Sequence, residues 1–395
     1  MNSLNKIENI TFFYPSRVVG GAEYLFIRLA NKLSELGYKV FIVDYKDGFL
    51  RKNVIKDVTV IDYFEGEKVE FTFNTHLILP PLFLNKMKEL FSVSNNKRIN
   101  CFFWSIAPHN VVSGIRGFHR FSSLFKLNEY EKYFFCVRPV KSLKIKKILN
   151  ELHDSNGIFF MDYPNYLKNQ EIFRLKFDPK YIPIPIEEPI QDKSPKTYKN
   201  KKITLAWYGR LGGEKVEALM KVLKDINTLY KEGKVTDLIE FLVIGDGEHL
   251  SDVEKFASKN ISFTIKFLGT LGNEEAKELI AEKVDLAFAM GTSALEIGQT
   301  MTPVVSLDFS LKPFPSDYKY CWIFERKGYS VGNQVRAKLP NKHTMENIIN
   351  DLNEDYENLA YHSYKYVNKN HNLNKIISML IEALAENNYS IKKLL

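Results

Sequence analysis

Along this chain, short runs of consecutive apolar residues alternate with longer stretches in which apolar positions recur every three or four residues. Residues 10–14 (ITFFY) form the first run and predict a buried strand. Beyond a loop, Leu25, Phe26, Leu29, Ala30, Leu33 and Leu36 recur at helical spacing, and Gly37 is placed to end that helix. Residues 39–44 (KVFIVD) make the next buried strand. Strand, glycine-containing loop, amphipathic helix and strand form a βαβ unit, which requires a parallel sheet. Further strand-like runs follow at residues 58–63, 75–79, 100–104 and 157–161.

The second half repeats the rhythm more plainly. Residues 203–208 predict a strand, followed by a loop and a helix to about Lys231 that Gly233 closes. Strands are expected at 238–244 and 263–268, a helix from Asn273, a strand at 284–288, a short helix opened at Ser293 and a last strand at 304–307. From Thr344 onwards the pattern is helical and polar, ending in an apolar stripe of Ile376, Ile377, Leu380, Ile381 and Leu384. Between the halves, residues 181–189 (YIPIPIEEP) place proline at alternate positions, which favours an extended connector. The expected fold is α/β, with two doubly wound Rossmann-like domains facing a central cleft. The first domain spans 1–182, the linker 183–202 and the second domain 203–342. C-terminal helices fill 343–395, with packing back towards the first domain as one option.

The loops that leave the strands hold the candidate chemistry. Gly20 and Gly21 follow the first strand and allow a ligand close to the backbone at the sheet's C-terminal edge. A dinucleotide GxGxxG is absent there. His109 lies in the loop after residues 100–104, where it could serve as a general base, bind a hydroxyl or simply be solvated. Gly291, Thr292 and Ser293 lead from a strand into a helix, so their backbone N–H groups and the positive helix end suit a phosphate. Glu296, one turn inside, would reach ribose or sugar hydroxyls.

Composition narrows the classes. The chain has 395 residues, 45% of them apolar, and is long enough for two ordinary domains rather than a disordered protein. No apolar run approaches the roughly 20 residues that span a bilayer, and the start lacks the basic and apolar regions of a signal peptide, so a cytoplasmic protein is expected. Cys101, Cys136 and Cys321 lie far apart and suggest neither disulfides nor a zinc site. The net charge is +8, and much of it sits in residues 112–147. Arg116, Arg120, Lys126, Lys132, Arg138, Lys141, Lys144, Lys146 and Lys147 stand there against Glu129 and Glu131, interleaved with aromatics from Phe118 to Phe135. Such a stretch suits an anionic membrane surface or, failing that, a solvated helical face. No nucleic-acid reading motif accompanies it, so no nucleic-acid partner is expected.

Four motifs, taken together, resemble the GT-B glycosyltransferases, in particular the group 1 (family four) enzymes of bacterial surface polysaccharide assembly. They are Gly20-Gly21-Ala22-Glu23, Gly209-Arg210-Leu211 with Lys215, Val243-Ile244-Gly245-Asp246-Gly247, and Ala294-Leu295-Glu296 running on to Thr302-Pro303-Val304-Val305. The resemblance spans nearly the whole chain, with residues 45–180 carrying little of it. It implies a nucleoside-diphosphate sugar as substrate, with no cofactor. Arg210 would fork two phosphate oxygens and Lys215 would add a mobile charge, with Gly245 beside them. Thr270 and Leu271 would meet the nucleobase. One position departs: the family's second glutamate, eight residues before Glu296, would fall on Phe288.

The function expected is transfer of a sugar to a glycan or lipid-linked acceptor in cell-surface polysaccharide assembly, such as lipopolysaccharide or capsule. The chain lacks an Asp-x-Asp motif and a convincing carboxylate pair, so metal-independent chemistry is expected, with a soluble enzyme peripheral on the anionic inner-membrane surface. The second half favours retention of the anomeric configuration. An inverting reaction with His109 or Glu23 as base is the alternative, as is a non-catalytic glycosyltransferase-like subunit. A sugar-nucleotide epimerase or a phosphorylase on the same fold would need a paired acid/base set or a pyridoxal lysine on a larger chain.

Overall fold

The computed structural model describes residues 7–18, 20–94, 96–113, 139–188, 202–235, 237–335 and 340–395. The chain forms two compact units, one of Met1–Pro185 with Leu373–Leu395 and the other of Ile186–Asn372.

In the first unit, β1 (Asn9–Phe13), α1 (Gly21–Glu35), β2 (Lys39–Asp44) and β3 (Thr59–Asp62) open the chain. β4 (Val69–Phe71), β5 (Thr75–Leu79), β6 (Phe91–Val93), β7 (Ile99–Ser105), α2 (Pro139–Asp154), β8 (Ile158–Phe160) and α3 (Tyr163–Phe173) follow. Six strands pair in the order β3-β2-β1-β5-β7-β8, and every pairing is parallel. β5 and β7 are buried along their whole length, the near-continuous apolar run expected of a sheet covered on both faces. A second small sheet, β4 with β6, was not legible as strands because each run is only three residues long. Phe13, Phe71, Phe91, Phe103 and Phe160 are among the buried side chains that fill the space beneath the main sheet.

The second unit contains β9 (Lys202–Tyr208), α4 (Gly213–Lys231), β10 (Leu238–Ile244), α5 (Leu250–Asn260), β11 (Thr264–Gly269) and α6 (Asn273–Lys283). β12 (Leu286–Ala289), α7 (Thr292–Gly298), β13 (Val304–Ser306) and the long α8 (Met345–His371) complete it. Its five parallel strands run β11-β10-β9-β12-β13. Both sheets reverse their winding beside the first strand, between β1 and β5 and between β9 and β12. Open α/β sheets bind ligands at such points, at the carboxyl ends of the strands.

The block expected at 343–395 is divided. α8 belongs to the second unit, while Leu373–Leu395 joins the first. The reason is local: β8 is short and pairs only with Phe103, Trp104 and Ser105 of β7. The N-terminal part of β7 is completed by the chain's end instead. The Cys101 amide donates to the Tyr389 carbonyl at 2.8 Å, and Asn100 forms an antiparallel bridge with Ser390. Asn387 clasps the same edge, accepting at its carbonyl from Asn100 Nδ2 and donating from its own Nδ2 to the Cys101 carbonyl.

The connector expected at 183–202 is anchored at its start. Ile182, Ile184 and Ile186 are buried, since alternation with proline turns the isoleucines to one side of an extended strand. Residues 189–201 lie outside those described.

Candidate active site

At the switch point of the second unit, three loops are locked together by backbone contacts. Trp207, buried at the end of β9, donates its indole N–H to the Gly209 carbonyl at 2.9 Å. The Gly209 amide donates to Ile244, and the Leu211 amide to Asp246, joining the loops after β9 and β10. Two glycines permit this approach. A β-carbon on Gly245 would stand 2.2 Å from the Gly209 carbonyl oxygen, and one on Gly247 would stand 2.5 Å from that of Leu211. Gly245 is therefore a packing requirement, and its amide is committed to the Gly269 carbonyl at 2.7 Å.

Arg210 projects from this loop and is exposed, while Lys215 lies in the first turn of α4 and is partly buried. Among the described residues, neither cation makes a hydrogen bond or an ion pair. Burial pushes the Lys215 ammonium below its ordinary pKa, and the Arg210 charge adds to this against a partial offset from Glu214. The N-cap of α4 is Gly212, which offers no side-chain cap to the first helical amides. Two like charges thus converge with the positive end of a long helix.

The loop after β12 is set differently from expectation. Gly291 has φ +64°, a conformation that favours glycine, and its amide donates to the Val331 carbonyl at 2.9 Å. Of the three expected donors 291–293, the Gly291 N–H is thus already occupied. Thr292 and Ser293 open α7, and the Ser293 hydroxyl comes within 3.8 Å of a β-carbon placed on Gly209. Glu296 is buried one turn further on. Thr270 and Leu271 leave β11 at the sheet's edge, two strands from Arg210.

A buried ion pair holds this loop from behind. Arg326 meets Asp308 at 3.0 Å, both being essentially inaccessible. Asp308 also accepts from Tyr318, Asn341 and the Asn333 amide. Burial opposes the Arg326 charge, but Asp308 together with Cys321 and Tyr318 outweighs it and raises the guanidinium pKa. This network fixes residues 330–333, whose Val331 carbonyl takes the Gly291 amide. It was not foreseen, because its members are scattered over the sequence.

Also unforeseen was His249, at the start of α5. Its Nδ1 lies 2.8 Å from Asp252 Oδ2, and its Nε2 lies 3.4 Å from where a β-carbon on Gly213 would stand. The spacing of His249 and Asp252, three apart at a helix start just after Gly247, was the available signal.

Gly20, Gly21, Glu23 and His109 belong to the first unit. Glu23 is buried in the first turn of α1, where Oε1 accepts the Ser16 hydroxyl at 2.7 Å and Oε2 stands 2.7 Å from a β-carbon placed on Gly20. Burial, with the Glu23 charge, pushes the nearby Tyr14 hydroxyl up to about 12. Asp44 ties the neighbouring loop, accepting from the Ser16, Tyr45 and Arg51 amides. His109 is partly buried in a turn that Asn110 shapes by accepting from the Ile106 and Ala107 amides. Most of the basic strip 112–147, namely residues 114–138, lies outside the described residues. Among the described residues no cluster of His, Cys, Asp and Glu could hold a metal ion, and no helix is long and apolar enough to cross a membrane.

No protein-family model and no curated protein matches the sequence. Solved structures do match in fold. A glycosyltransferase from Rickettsia africae superposes with a TM-score of 0.56 at 13% identity, covering 96% of this chain and 98% of that one. TarM of S. aureus, solved with UDP and alpha-GlcNAc-glycerol, gives 0.55 at 12% identity over 96% and 100%. WaaG, a glycosyltransferase involved in lipopolysaccharide biosynthesis, gives 0.52 at 13% identity over 95% and 99%. With its two parallel α/β units, this chain has the GT-B fold of these glycosyltransferases.

Proposed function

We propose that this protein is a glycosyltransferase that moves a sugar from a nucleoside-diphosphate donor to a glycan or lipid-linked acceptor in cell-surface polysaccharide assembly. The observation that carries this reading is the pair Arg210 and Lys215, two cations without ion-pair partners among the described residues, at the first turn of α4 and the sheet's switch point. A leaving diphosphate needs its developing charge stabilised, and a guanidinium, an ammonium and a fixed helix end supply that without a metal ion. Glu296 supplies a carboxylate for donor hydroxyls. Thr270 and Leu271 are assigned to the nucleobase.

Retention of configuration follows the motifs of the second unit, and His109 is the base should the reaction invert. Docking on an anionic membrane surface is supported by α2, where Val140 and Leu143 are 82% and 54% exposed beside Lys144 and Lys147. The test is a thermal-shift screen with UDP-, GDP-, ADP- and dTDP-sugars, followed by assay of nucleoside diphosphate release. Stabilisation and release by one of them is expected. Stabilisation without release or transfer to any acceptor would favour a non-catalytic subunit, and no stabilisation by any of them would sink the reading.

A further inference from the structure

The α4 end of the candidate site contains an anion already. Glu248 Oε1 accepts the Gly213 amide at 3.4 Å and lies 3.8 Å from His249 Nε2. A carboxylate oxygen thus accepts from the first amide of α4 within ion-pair range of this imidazole, which marks the spot as one that takes an anionic oxygen. The Glu248 side chain is 74% exposed, so solvent holds it only loosely there and a ligand oxygen can displace it.

His249 is placed for such a ligand by its own partners. Its amide donates to the Leu211 carbonyl, which ties it to the Arg210 loop. Asp252 engages Nδ1 and so leaves Nε2 to meet an incoming group. We propose that His249 is a third cationic contact for the diphosphate, its protonated Nε2 donating to a phosphate oxygen alongside Arg210 and Lys215, with Asp252 as a positioning residue behind it. This rests on the reading of the site as a nucleoside-diphosphate cradle. The charged groups around the imidazole are Asp252 on its own helix, Glu248 before it, and on the facing side the Gly213 amide with Arg210 and Lys215. A phosphate oxygen is an acceptor suited to a charge-assisted N–H donor at Nε2, and Asp252 holds the ring with that edge presented.

The experiment is calorimetric titration of the full chain with UDP, GDP, ADP and dTDP at pH 6 and pH 8. For the diphosphate that binds, His249→Gln should weaken affinity about three- to tenfold at pH 6 and much less at pH 8, the scale of one partly exposed charge-assisted hydrogen bond. Asp252→Asn should weaken binding at pH 6 in the wild-type background and have little further effect in the His249→Gln background, which loss of a merely structural contact would not do. Glu248→Gln should tighten binding at both pH values. Wild type that binds while His249→Gln matches it at both pH values overturns the inference and leaves the cradle standing. Failure of every diphosphate to bind wild type overturns both.

Discussion

The carbonyl oxygen of Gly209 occupies the position that a side chain on Gly245 would need, 2.2 Å from its β-carbon. The obstacle is backbone, which cannot swing aside, and Gly245 has φ +132°, so a side chain there is strained as well. Gly245→Ala should cost about 3 kcal/mol and pull apart the loops that carry Arg210 and His249. Urea unfolding and UDP binding measured together check this. Wild-type values in both would show that the two loops move independently.

Arg210→Ala, Lys215→Ala and Glu296→Ala should each lower kcat/KM by about 10²-fold, as when one transition-state contact is lost, with thermal stability near wild type for the two cation variants. Steady-state kinetics with the identified donor give the answer. Near-wild-type kinetics in all three would mean the donor binds elsewhere.

Product stereochemistry should show retention, read from the anomeric coupling in NMR of the first turnover. Under retention, His109→Ala should keep most of its activity. Inversion together with an inactive His109→Ala protein would assign that imidazole as the base.

His76 sets an acid limit on the first unit. It is buried at the start of β5, its Nδ1 lacks a hydrogen-bond partner among the described residues, and burial with the nearby Arg98 lowers its pKa from 6.5 to about 4. Between pH 6.5 and about 4 the unfolded chain takes up a proton that the folded chain refuses, so stability falls with pH, by up to roughly 3 kcal/mol. Urea unfolding of wild type and His76→Leu at pH 7 and pH 4.5 tests this. The variant should lose less on acidification, and parallel losses would place the acid sensitivity elsewhere.

Changing Lys141, Lys144, Lys146 and Lys147 to Ser should weaken co-sedimentation with vesicles containing anionic lipid, and salt should weaken the wild type likewise. Equal sedimentation with neutral vesicles would leave α2 as a solvated face.

Much of the frame was legible because buried strand segments read as unbroken apolar runs, as in residues 241–244 (FLVI) of β10, whose expected bounds match the strand. The loop position of Arg210 was legible because it lies two residues past a strand's end, while its pairing with Lys215 came from the resemblance. What escaped depends on distance along the chain. Asp308 needs Arg326 and Asn341, and the Gly291 amide needs Val331, so neither can be seen within a window of a few residues. The three-residue strands β4 and β6 escaped for the opposite reason, having too little sequence to show a period.

The clasp of Asn387 and Tyr389 on β7 bears on synthesis. As the chain leaves the ribosome, the first sheet must wait with the N-terminal part of β7 open until the second unit has been made, because the amide of Cys101 has its partner only at the chain's end. During that interval a buried, aromatic strand is an exposed edge, so a chain truncated before Asn387 should emerge as an aggregation-prone product rather than a smaller enzyme.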